Sequence, residues 1–148
     1  QSNVVLLPDT HLMPLHIDDE LSSLSAILLN DDYYRFLLDG RIVIDGISIL
    51  DAEHIIPLKM KAWLDLKSKK AEGLHVNSRD IKKHRLDVFR LFQLVREGQK
   101  IIVPESVGED ITQFIGQMRE TEIRLIDIGI NRPKDSILDI YSNMYVTE

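Results

Sequence analysis

Between Asp51 and Val95 the sequence carries two apolar stripes at helical period, and the first has a charge in its middle. Ala52, Ile55, Ile56, Leu58, Ala62, Trp63 and Leu66 recur at the i, i+3, i+4, i+7 spacing of one helix face. Lys59 falls inside that face. At about 100° per residue it projects among Ile55, Ile56, Ala62 and Trp63, whereas Lys61 points to the opposite side and is expected in solvent. An ammonium among apolar neighbours is costly unless it is paired. The stripe therefore predicts a buried face and a partner for its lysine.

The second stripe offers one. From Ser78 onward Ile81, Val88, Leu91, Phe92 and Val95 form an apolar face, and Asp80, His84 and Asp87 run along its flank. Packing the two stripes together places Lys59 against Asp87, with His84 beside them. Read from the residues alone, the pairing fits a core-edge ion pair, a lysine whose stem snorkels past Trp63, or part of a ligand site.

The rest of the chain supplies the frame. Residues 3–7 read as a short apolar strand stopped by Pro8, and Asp9, His11 and His16 after it fit either a metal site or ordinary caps and surface groups. Asp18, Asp19 and Glu20 open a helix that buries Ile17, Leu21, Leu24 and Leu28 and ends at Asn30. Asp31 and Asp32 open a second short helix, Tyr33 to Leu38, closed by Gly40. Around Asp45-Gly46 the β-branched flanks Arg41 to Ile44 and Ile47 to Leu50 predict a hairpin with a two-residue turn. Asp51 caps the first central helix, and Pro57 within it predicts a kink or a late start.

A polar connection, Lys67 to Asn77, leads to the second central helix, which Gly98 is expected to end. An extended segment at Ile101 to Val103 and helices over 106–119 and 134–145 follow, with an apolar stretch of ambiguous period at 122–130. The pattern is α+β: a few N-terminal strands including a hairpin at 41–50, then a mainly helical bundle. It divides into trailing strands and helices over 1–50 and a helical C-terminal domain over 51–148.

Composition narrows the chemistry. With no cysteine there is no disulfide framework, thiolate nucleophile or zinc knuckle. A net charge of −6 opposes broad nucleic-acid binding. A local basic patch is nevertheless present in Lys67, Lys69, Lys70, Arg79, Lys82, Lys83, Arg85 and Arg90, readable as a polynucleotide surface or as a solvated face. No apolar run reaches the roughly 18 to 20 residues of a bilayer span, so no membrane partner is expected and the cytoplasm is the expected location. A start at Gln1, followed at once by Val4-Val5-Leu6-Leu7, suggests a chain cut from something longer.

Two segments carry a family resemblance. Ile49 to Leu66, holding Leu58-Lys59-Met60-Lys61-Ala62-Trp63, and Ser78 to Leu91, holding Lys83-His84-Arg85-Leu86-Asp87-Val88, resemble the C-terminal half of the AbiEii-type nucleotidyltransferase family. Members show a lysine in a pattern like L-K-x-x-A-L and, on a later helix, K-D-x-x-D-[IV]-x-x-L. Here His84 stands where the first Asp of the second pattern is usual. The resemblance covers residues 40 to 95.

It implies a Mg-dependent protein that transfers a nucleoside monophosphate from an NTP to an RNA or protein acceptor, as a toxin with an antitoxin partner. Lys59, Asp87, Lys83 and His84 are then the nucleotide- and phosphate-binding candidates. The family's catalytic G-[GS]-x-x-x-D-x-D segment is absent, since all 7 glycines are isolated and no Asp-x-Asp sits on an apolar strand. The resemblance thus implies a part that is inactive alone, with magnesium bound only by the full-length protein. The alternative is a non-catalytic helical protein-interaction module. A hydrolase built on His11, His16, His54, His75 and His84 lacks a serine or cysteine nucleophile beside the histidines.

Overall fold

The computed structural model describes residues 12–13 and 22–148. The strand expected at 3–7, the group Asp9, His11 and His16, and the acids Asp18 to Glu20 lie outside them. Among the described residues the fold is α+β, and the N-terminal elements are β1 (Leu12–Met13), α1 (Ser22–Leu28), α2 (Asp31–Asp39), β2 (Arg41–Ile44) and β3 (Ile47–Asp51). The long α3 (Ala52–Ala71) and α4 (Ser78–Leu91) follow. Then come β4 (Ile101–Val103), α5 (Glu105–Arg119), α6 (Lys134–Met144) and β5 (Tyr145–Thr147).

The hairpin forms where Asp45-Gly46 predicts it. Both turn residues take positive φ, 52° and 80°, as a tight two-residue turn requires, and the strands pair from Arg41↔Leu50 to Ile44↔Ile47. β1 adds to the other side of β3, which leaves β2 at the edge.

α3 departs from the expected one-sided stripe. From Ala52 to Leu64 it is buried nearly all round, Met60 and Glu53 as well as Leu58. Four other helices, α1, α2, α4 and α5, pack on it, so it is the axis of the fold and not an outer wall. It is also longer than expected. Ala71 ends it, with the Leu74 and Gly73 amides bonding back to the Lys69 and Lys70 carbonyls, and the connection shrinks to residues 72–77.

Pro57 neither delays nor divides the helix. A proline has no amide to donate to the carbonyl four residues earlier, here that of Glu53, and the buried Tyr145 hydroxyl donates there instead. A second tyrosine performs the same service on α4. That helix stops at Leu91 and tightens into a 3₁₀ turn, Phe92–Leu94, well before Gly98. The Phe92 amide turns to the Phe89 and Arg90 carbonyls, and the Val88 carbonyl accepts from the Tyr141 hydroxyl at 2.6 Å.

The extended segment at 101–103 is a strand, paired in parallel with β5 from Ile101↔Tyr145 to Val103↔Thr147. Tyr145, expected as the last residue of α6, therefore begins β5. The ambiguous stretch 122–130 holds one 3₁₀ turn, Leu125–Ile128. A single apolar cluster runs from Leu24 and Phe36 through Trp63 and Phe89 to Tyr145, so residues before and after position 50 share one core.

Candidate functional site

The packing of α3 on α4 brings Lys59 to Asp87, with Nζ 3.1 Å from the carboxylate. The lysine side chain is 5 % exposed and the aspartate 16 %, so the ammonium is sealed beneath a carboxylate that reaches the rim. Asp87 also accepts from Lys83, one turn earlier on α4, at 3.0 Å and from Arg90 at 3.1 Å. Both of those cations are nearly half exposed. Burial opposes ionisation of the Asp87 carboxyl, but Lys59 and Lys83 outweigh it and hold the group below the usual carboxylate range. Asp87 is thus a fixed anion that links one inner cation to two outer ones.

His84 is buried at 2 % on the same helix. Lys59 does not snorkel past Trp63 to solvent. It is Lys67 that lies over the Trp63 ring, 5.7 Å from its centroid. Lys61, expected in solvent, is only 26 % exposed and sits between Asp65 at 3.1 Å and Asp110 at 3.7 Å, tying α3 to α5. Asp110 also accepts from the Tyr33 hydroxyl at 2.8 Å, which joins α2 to the same corner.

A second polar cluster, which the sequence stripes miss, occupies the start of α3. Glu53 is fully buried, and one of its carboxylate oxygens accepts from the Arg96 amide at 3.0 Å, from the Arg96 guanidinium at 3.3 Å and from Gln99. Beside it, Asp51 accepts from the His54 amide at 3.0 Å and meets His54 Nδ1 at 2.6 Å. Burial raises the Asp51 pKa, but the His54 contacts and Arg96 overcome it and leave the carboxyl below its ordinary value. The His54 ring lies against Phe36, tilted by 30°, and presses on Gly40, where an added Cβ would collide with the ring.

Local pattern could not find this cluster, because Arg96, Gln99 and Tyr145 arrive from more than forty residues downstream. The one sequence signal was Pro57, which strips a donor from the Glu53 carbonyl. Of the remaining histidines named for a hydrolase, His75 is exposed between α3 and α4, His84 lies inside, and His11 and His16 fall outside the described residues.

Around Asp87 the described residues do not suit magnesium. No group of three His, Cys, Asp or Glu side chains comes together among them, and Asp87 is wrapped by cations that would repel a divalent ion. Two surface cavities of about 350 Å³ each lie elsewhere, one bounded by Ile111, Thr112 and Asn143, the other by Ile126, Asn131 and Lys134. No helix among the described residues is long and apolar enough to cross a membrane. No protein-family model, curated protein or solved structure matches this chain.

Proposed function

We propose that this chain is part of an AbiEii-type nucleotidyltransferase that moves a nucleoside monophosphate from an NTP to an RNA or protein acceptor, as the toxin of a toxin–antitoxin pair acting in the cytoplasm. The observation that supports the reading is the meeting of its two motif segments. Lys59 of Leu58-Lys59-Met60-Lys61-Ala62-Trp63 and Asp87 of Lys83-His84-Arg85-Leu86-Asp87-Val88 are distant in sequence and stand 3.1 Å apart.

On this reading Lys59 is a positioning residue. Sealed under Asp87, it fixes the carboxylate, which in turn holds Lys83 and Arg90 at the rim where a polyphosphate approaches. Two cations spaced along one helix face suit a chain of phosphates better than a single anion. His84 is buried on the same helix. Magnesium and the catalytic carboxylates belong to the full-length protein.

The test is equilibrium binding of ATP, GTP, CTP and UTP to the chain at low salt. At least one NTP should bind saturably, and Lys83→Ala with Arg90→Ala should weaken it about tenfold or more, since each charge-assisted contact is worth roughly 1.5 to 3 kcal/mol. In the complete protein Lys59→Met, which keeps the packing, should lower incorporation of labelled nucleotide. Failure of every NTP to bind, or binding indifferent to both rim substitutions, overturns the reading. The second reading, a non-catalytic helical interaction module, draws support from the apolar residues exposed along β2.

A further inference from the structure

Among the described residues β2 is an edge strand with no element covering its outer side. Ile42, Val43 and Ile44 are 40 %, 57 % and 37 % exposed, and no strand among the described residues pairs with its outer side. Natural edges of this kind are usually blunted by proline, a bulge or central charges. Here the charges stand only at the ends, Arg41 at one and Asp45 at the other.

The hairpin fixes which groups face outward. Its two-residue turn makes Ile44↔Ile47 a hydrogen-bonded pair, and alternation makes Ile42↔Ile49 the next one. The N–H and C=O of Arg41 and Val43 therefore point away from β3, to the open edge. An antiparallel partner must meet these outward groups with outward groups of its own.

A second β2 does so when Val43 lies opposite Val43. That register also sets Ile42 against Ile44 and brings Arg41 of each copy to the turn residue Asp45 of the other, so the segment Arg41-Ile42-Val43-Ile44-Asp45 is complementary in charge to its own reverse. Moving the axis by one residue either way keeps the backbone phase but separates the charges, placing Arg41 on Val43 or Val43 on Asp45. We propose that two copies of this chain associate through antiparallel pairing of their β2 strands about a two-fold axis at Val43. The inference is independent of the nucleotidyltransferase reading.

The chain has no cysteine, so single introduced ones report the register. Cα atoms of a hydrogen-bonded antiparallel pair lie about 5.5 Å apart, within disulfide reach. Under mild oxidation Val43→Cys should form a covalent dimer. Ile42→Cys and Ile44→Cys should each do so poorly alone and readily when mixed. Sedimentation velocity should show concentration-dependent dimerisation, weakened tenfold or more by Arg41→Glu, which sets two acids face to face, and by Val43→Lys, which sets two ammonium groups at the axis.

A chain that stays monomeric up to millimolar concentration overturns the proposal. So does cross-linking of Val43→Cys no faster than of Ile42→Cys alone. A dimer that survives both charge substitutions is held by another face, and that outcome overturns it too.

Discussion

Two ionisable side chains are buried on α3 less than two turns apart, and the helix treats them oppositely. Glu53 is fully buried, and one of its oxygens accepts from a backbone amide, a side-chain amide and a guanidinium, all from the segment after α4, while the other has no hydrogen-bond partner among the described residues. Lys59 meets the Asp87 carboxylate, which sits near the surface and is itself held by two exposed cations. Removing Glu53 empties a fully buried site and takes the shared acceptor from Arg96 and Gln99. Removing Lys59 leaves Asp87 with Lys83 and Arg90. The first cluster ties the start of α3 to the segment after α4, and the second joins the middle of α3 to α4 at the rim.

The largest effect that would break this contrast belongs to Glu53. Glu53→Ala should cost about 3 to 5 kcal/mol, since it leaves a cavity at a fully buried position and removes the charge-assisted acceptor of the Arg96 amide, read as a shifted urea midpoint. A loss below about 1 kcal/mol would erase the distinction between the two clusters. Tyr145→Phe comes next. It leaves the Glu53 carbonyl without a donor and should cost about 1 to 3 kcal/mol. In a Pro57→Ala background the helix regains its own amide there, so the same substitution should cost clearly less, and a double-mutant cycle measures the difference.

Lys59 sharpens the comparison from the other side. Lys59→Met, similar in length and free of charge, should change stability by no more than about 1 kcal/mol, whereas Lys59→Ala opens a cavity and should cost about 2 kcal/mol or more.

The smallest effect is in pH. Asp87 has a folded pKa below its unfolded one, so its contribution is complete above the ordinary aspartate value of about 3.9 and is lost as pH falls through the lower folded value. In that acid window the unfolded chain binds more protons, and stability rises with pH. Asp87→Asn should flatten this acid slope and leave the pH dependence near neutrality unchanged; an unchanged acid limb would mean that Asp87 is not held ionised by its neighbours.

What the sequence made legible was local or periodic. Asp45-Gly46 specified its turn, Asp51 its cap, and the stripes placed Lys59 beside Asp87 before any coordinates. Periodicity failed where burial is not one-sided: α3 is wrapped by four helices, so Met60 and Glu53, off the apolar stripe, are as buried as the residues on it. It failed again where chain segments meet across the fold. The parallel pairing of Ile101–Val103 with Tyr145–Thr147 depends on α5 and α6 packing between them, and three residues have no period to read. The end of α4 at Leu91 was hidden because Tyr141, not a nearby glycine, satisfies the last turn.

The tyrosine bonds to α3 and α4 also order events during synthesis. The central helix leaves the ribosome with a vacant acceptor at Glu53, and its neighbour follows with another at Val88, before either tyrosine has emerged. Neither gap closes until residues 141 and 145 clear the exit tunnel, so the axis of this protein gains its final support only after nearly everything around it has been made.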